Sequence, residues 1–228
     1  MIITRLSKQT NRSDRYNVYV DELYSFSISA NDLLKSGMFS GKEISEKELE
    51  DFKLQASKSY LLDACLRYIS SRPHSKNEVS QYIKRKIFQN KEIKEQIADD
   101  QKKISAEILD YLEEKKYIND EDFASWLVSQ RNNSRSKKSF SHIKAELHKK
   151  GISNEIISNV LSELDSSDES AKAKTYAEKK FQQLKNKNKS QLEVKKALYQ
   201  HLSQKGFSWE VVQSIVDTYT DHQYNYDQ

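Results

Sequence analysis

Apolar and polar positions alternate at period two only near the start of this chain. Ile2 to Leu6 is rich in β-formers. Arg15 to Val20 sets Tyr16, Val18 and Val20 on one face, and Leu23 to Ser29 sets Tyr24, Phe26 and Ile28 against three serines. This pattern predicts three short strands. Asp21-Glu22 separates the second and third and reads as a hairpin turn, although a tight primed turn prefers glycine at the second position. Three short strands make a marginal sheet, which must pack on something helical.

Beyond residue 30 the period becomes helical. A short helix is expected from Asn31 to Ser36, stopped by Gly37, and Gly41 marks a loop. Ser45-x-x-Glu48 is a capping box, in which the serine hydroxyl takes an orphan amide and the glutamate reaches back. It opens a long helix carrying Leu49, Phe52, Ala56, Tyr60, Leu62, Cys65, Leu66 and Ile69. That helix should end near Ser70, because Pro73 disfavours helical geometry at Arg72.

From there the chain repeats. Ile143, Leu147, Gly151, Ile152, Ser153, Ile156, Ile157 and Val160 are matched 55 residues later by Leu198, Leu202, Gly206, Phe207, Ser208, Val211, Val212 and Ile215. Each glycine is placed just past a helix end, where a left-handed conformation suits a residue without Cβ. Each following serine is placed as an N-cap, with Glu155 and Glu210 in the first turns. A degenerate third copy lies upstream, with Val79 and Ile83, then Ile104, Ile108, Leu109 and Leu112; an extra polar stretch, about 88–103, lies between them. Ser75-x-x-Glu78 and Ser190-x-x-Glu193 are further capping boxes, and Ser139 or Ser141 caps the middle copy. Preceding helices at Lys47 to Ser70, Glu121 to Arg131 and Glu169 to Lys185 complete three units of three helices.

Composition agrees. Four glycines and one proline in 228 residues leave few helix breakers. Apolar residues are 36% and charged ones 32%, lean for one spherical core and suited to a thin stack of helices. The single cysteine, Cys65, excludes an internal disulfide framework and reads as a small core residue. The sequence contains no long apolar run and no secretion signal at its start, so no membrane span and a cytoplasmic location are expected. It has no Walker-type loop, so the chain should not hydrolyse ATP itself.

A net charge of +4 decides little, and placement matters more. The second helix of each unit is basic. The middle one with its loop holds Arg131, Arg135, Lys137, Lys138, Lys144, Lys149 and Lys150 against Glu146. The last holds Lys185, Lys187, Lys189, Lys195, Lys196 and Lys205 against Glu193, and the first Lys76, Lys84, Arg85 and Lys86 against Glu78. The third helices are acidic. One reading is a basic stripe for phosphate backbone. The other is solvated faces whose charges pair between neighbouring helices. Candidate stacking aromatics are Tyr82, Phe140, Tyr199, Tyr219, Tyr224 and Tyr226, while Trp126 and Trp209 are expected in a core or seam. Asn119 to Asp122 reads as helix capping. His142 and Glu146 stand one turn apart without a further ligand at matching spacing, so no metal is expected.

Several segments resemble the RecX family. Tyr117-Ile118-Asn119-Asp120-Glu121-Asp122-Phe123-Ala124 is similar to its tyrosine-led, acid-rich helix start. Glu146-Leu147 with Gly151-Ile152, Gly206-Phe207-Ser208, and Ser71-Arg72 with Ser75 and Glu78 match further segments in order. Asp14 to Asp21 resembles the hairpin of the longer, Gram-positive-type members. Lys116 and Glu22 stand where that family often has glycine, Val79 replaces its leucine, and the 88–103 insertion is long. The resemblance implies tandem three-helix repeats in an elongated, curved, mainly α protein. It also implies a modulator, usually an inhibitor, of the RecA recombinase that acts in the groove of the RecA–single-strand DNA filament. It carries no catalytic residues.

The expected organisation is a β-containing segment at 1–45, helical repeats at 46–118, 119–167 and 168–222, and a polar tail at 223–228. The expected contact residues are Arg131, Arg135, Lys137, Lys138, Lys144, Lys149, Lys150, Lys189, Lys195 and Lys196. The expected partners are the RecA filament and its single-strand DNA, with duplex considered too. The chain is expected to be a monomer without enzymatic activity or cofactor. Binding DNA without RecA, or serving as a helical scaffold for an acidic protein, are the alternatives.

Overall fold

The computed structural model describes residues 1–10, 14–132, 139–162, 166–186 and 189–221. Its elements are β1 (Ile3–Lys8), β2 (Arg15–Val20), β3 (Leu23–Ser29), α1 (Ala30–Ser36), α2 (Glu46–Ile69), α3 (Lys76–Gln89), α4 (Lys91–Gln96), α5 (Gln101–Glu114), α6 (Asp120–Asn132), α7 (Phe140–Lys149), α8 (Asn154–Ser162), α9 (Ser166–Lys185), α10 (Gln191–Gln204) and α11 (Trp209–Asp221). The chain is mainly helical, with a small sheet near its N-terminus. It divides into two compact units, Met1–Asn119 and Asp120–Gln228.

In the first unit the strands form an antiparallel meander, β1-β2-β3. The hairpin turn is of the primed kind without glycine, since Asp21 and Glu22 have φ of 47° and 69°. Strand β1 holds it in place. The Asp21 carboxylate accepts the Ile2 amide at 2.8 Å, and the Glu22 amide donates to Thr4 Oγ1 at 3.1 Å. The β2–β3 register slips between Val18 and Tyr19. The slip moves Tyr24 off the face shared by Phe26 and Ile28, contrary to simple alternation, and its hydroxyl reaches Glu92 at 3.0 Å.

The buried sheet face (Ile3, Val18, Phe26, Ile28) packs on Leu49 and Ala56 of α2. Farther along α2, Leu61 and Cys65 enter a second core with Val79, Ile83, Ile104, Ile108 and Leu112. One helix therefore serves both cores and supplies the packing the sheet needs. It begins at the Ser45–Glu48 capping box and ends at Ser70. Fully burying each such aliphatic side chain is worth about 1.5–3 kcal/mol. The 88–103 stretch is less polar in effect than it reads. Its short helix α4 brings Ile93 and Ile97 into the core, 6% and 1% exposed.

In the second unit, α6, α7 and α8 close on Phe123, Leu127, Ile143, Leu147 and Ile157. Helices α9, α10 and α11 close on Ala177, Phe181, Leu198, Leu202, Val212 and Val216. The sequence repeat is also a repeat of hydrogen bonding. At Gly151 (φ 83°) the Ile152 amide returns to the Leu147 carbonyl, and at Gly206 (φ 77°) the Phe207 amide returns to Leu202. Ser153 and Ser208 then accept the amides of Ile156 and Val211.

Candidate functional site

Basic helices alone do not make a basic surface, because acids pack beside several of them. In α6, Arg131 forks onto Glu146 of α7, with Nε 2.9 Å from Oε2 and Nη2 on Oε1. Lys195 of α10 pairs with Asp217 of α11 at 3.3 Å, and Lys189 with Glu193 at 2.6 Å. In the first unit Lys76 of α3 likewise meets Glu113 of α5 at 2.6 Å. The exposed ones among these pairs stabilise little, but they occupy charge that a phosphate would otherwise meet.

Lys144, Lys149 and Lys196 are exposed and form no ion pair among the described residues. Lys150 is half-buried as the C-cap of α7. Arg135, Lys137 and Lys138 lie at 133–138, outside the described residues. The i, i+4 pair His142 and Glu146 is engaged elsewhere: Glu146 holds Arg131, and His142 Nδ1 lies 3.0 Å from Ser139 Oγ.

The described residues on either side of 133–138 are held by helices α9 and α10. On the near side, Lys172 of α9, only 3% exposed, donates to Asn132 Oδ1 at 2.7 Å. Its ammonium also lies 5.3 Å from the Phe140 ring centroid. On the far side, Ser139 caps α7 by accepting the His142 amide, and its hydroxyl donates to the Lys205 carbonyl at 2.7 Å. Glu169 accepts the Phe140 amide, one of the donors α7 leaves without an intrahelical partner, and burial raises its carboxyl above the ordinary carboxylate range.

Glu169 and Lys172 were absent from the sequence candidates. A signal existed: the two charged residues share the helical stripe that continues through Ala173, Tyr176 and Ala177 into the core. A charge on an apolar stripe needs a partner, and here the partners flank the basic segment.

The aromatics divide. Tyr219 is 4% exposed and packs on Phe181 at 5.3 Å between centroids, so it is core and not a stacking platform. Tyr82 lies flat on Tyr68 at 4.2 Å, with Arg85 and Lys86 within 5.4 Å of its ring centroid. Trp126 is half-buried against Phe123. Trp209, expected in a core or seam, is 63% exposed and stacks on Tyr199 of α10 at 5.3 Å. Trp209 is the first residue of α11, and Lys196 stands one turn before Tyr199. Tyr224 and Tyr226 lie outside the described residues.

Three-helix clusters and a small sheet, with lysines left exposed on second helices, define a mainly helical repeat protein. Its relatives are specific. The model of the regulatory protein RecX N-terminal domain matches residues 1–45, and that of the third three-helix domain of RecX matches residues 167–216. The chain is 33% identical to the regulatory protein RecX of Bacillus licheniformis, over 97% of this chain and 78% of that protein. It is also 33% identical to that of Listeria welshimeri, over 94% and 74%. A crystal structure of regulatory protein RecX superposes with a TM-score of 0.70, at 24% identity over 95% of this chain and 98% of that one. RecX from Lactobacillus salivarius gives 0.60, at 25% identity over 71% and 95%. The chain belongs to the RecX family of regulatory proteins.

Proposed function

We propose that this protein is a negative modulator of the RecA recombinase. It binds the RecA–single-strand DNA filament and affects filament extension, ATP hydrolysis or strand exchange. Family membership carries this reading. The exposed Lys144, Lys149 and Lys196, and the anchoring of Asn132 and Ser139 on either side of the basic residues 133–138, add physical support. Arg131, Lys150, Lys189 and Lys195 belong to the same proposed surface, the acids beside Arg131, Lys189 and Lys195 acting as partners to be exchanged for phosphate. Lysines that neutralise phosphates release counterions, so affinity should fall steeply with salt. A monomer touching successive protomers of a filament gains from many weak contacts. No cofactor is needed, and the setting is the cytoplasm; no helix among the described residues is long and apolar enough to cross a membrane.

The test is RecA ATPase on single-strand DNA with and without this protein. Lowered turnover is expected near stoichiometric ratios, and no effect there overturns the proposal. A salt titration on bare oligonucleotide separates a DNA binder acting alone from a scaffold for an acidic protein, because only the former shows a slope. Reversing charge at Arg135, Lys137 and Lys138 together should weaken filament binding about tenfold or more while leaving thermal stability unchanged. Unchanged binding moves the contact elsewhere.

A further inference from the structure

The 88–103 insertion builds a groove in the first unit. It separates the end of α3 from the start of α5, and the groove, of about 540 Å³, opens between them. Its apolar surface comes from Ile87, Phe88, Ala106 and Leu109. Phe88 is 78% exposed, a large ring left in water beside a surface it could help cover. Lysines supply all the charge of the lining: Lys84 from α3, Lys94 from α4 and Lys102 from α5.

Some lysines of the first unit are committed to acids. Lys58, Lys76 and Lys91 each pair with a glutamate. Lys84, Lys94 and Lys102 form no ion pair among the described residues, and the Lys94 ammonium instead sits 5.9 Å from the Phe88 centroid. Lys102 also breaks a local rule. It stands in the first turn of α5, where the helix dipole favours acids, and that turn contains none. Departures of this kind from local stability tend to mark functional surface.

We propose that this groove docks an acidic amphipathic segment of a protein partner. One or two large apolar side chains would lie against Phe88, Ile87 and Leu109, with flanking Asp or Glu meeting the three lysines. Charge complementarity selects the occupant: a three-lysine rim without an acid repels a basic segment and leaves a neutral one with nothing to answer it. A peptide fits better than a nucleic acid strand. The floor is mostly aliphatic, and a strand needs successive aromatic platforms where this groove offers one ring. This surface belongs to the first unit, the residues proposed above for the filament belong to the second, and the proposal does not depend on that reading.

The experiment uses the full chain and a fluorescein-labelled helical peptide of Glu and Asp with Leu and Phe at i, i+3, i+4 and i+7. Fluorescence anisotropy is read beside a sequence-scrambled peptide and a single-strand oligonucleotide. Phe88→Ala and the triple change Lys84→Glu, Lys94→Glu, Lys102→Glu all act at solvated positions, and circular dichroism checks their folding. The peptide should bind the wild-type chain, and each variant should weaken it by about tenfold or more. The scrambled peptide should bind correspondingly less well. Absence of binding, equal binding of the scrambled peptide, or affinity untouched by both variants overturns the proposal. So does an oligonucleotide whose binding is lost in the variants while the peptide's is not.

Discussion

Gly206 is where one substitution tests most of the reasoning about the second unit. Its φ of 77° is left-handed, and a Cβ built on it would lie 2.9 Å from both His142 Nδ1 and Ser139 Oγ. An alanine there first meets the backbone penalty of the left-handed region, about 1–2 kcal/mol. A stiffer unfolded chain returns roughly 0.5–1 kcal/mol of that. It must then displace Ser139, whose buried hydroxyl caps α7 and donates to Lys205, and losing such a bond costs about 1–3 kcal/mol.

The expected loss for Gly206→Ala is therefore about 1–4.5 kcal/mol, centred near 3. Gly37→Ala is the natural control. Its φ is 63° with nothing within 4 Å of an added Cβ, so it should lose only about 1 kcal/mol. Both tryptophans, Trp126 and Trp209, fall in the second unit, so urea unfolding followed by tryptophan fluorescence reports that unit by itself. Circular dichroism follows the control. In the Ser139→Ala background the Gly206→Ala loss should shrink by about 1 kcal/mol, a coupling between neighbours. A Gly206→Ala loss no larger than that of Gly37→Ala, or strict additivity with Ser139→Ala, would refute the close-approach argument.

Other expectations follow from single residues. Glu22 and Lys116 have φ of 69° and 55°, in positions where glycine is free of strain. Glu22→Gly and Lys116→Gly should each stabilise the first unit by about 0.5–1 kcal/mol in urea, the left-handed penalty less the entropy of glycine; a loss in either would mean the side chain holds the turn. Burial pushes the Cys65 thiol up to about 12. A thiol reagent at pH 7.5 should therefore react with it only as the first unit opens, and burst labelling of native protein would contradict its place in the core. For His201, burial first, and then Lys180 and Lys205, lower the imidazole pKa. The unfolded chain takes up that proton more readily, so this contribution to stability is full above about pH 6.5 and declines as pH falls below it. The wild-type tryptophan transition should weaken between pH 7.5 and 5.5 more than that of His201→Gln, and parallel profiles would remove His201 from the account.

What the sequence determined by itself is everything local. The capping boxes at Ser45 and Ser190, the glycine stops at Gly151 and Gly206, and the strand and helix periods depend on bonds a few residues long. Apart from Tyr24, which the β2–β3 slip moves off its face, they appear in the structure where the residues put them. The family relationship was legible for the same reason, since its motifs are helix starts, helix stops and a hairpin. Tertiary structure decided which charges remain available and which aromatics are free. Arg131 with Glu146, Lys76 with Glu113 and Lys195 with Asp217 are 15 to 37 residues apart. Trp209 is exposed, Tyr219 is core, and Ile93 and Ile97 fill a core from a stretch that reads as polar. Each outcome depends on which side chains of another helix arrive alongside. Helical period orients a residue about its own axis, but it does not specify the neighbour across the gap.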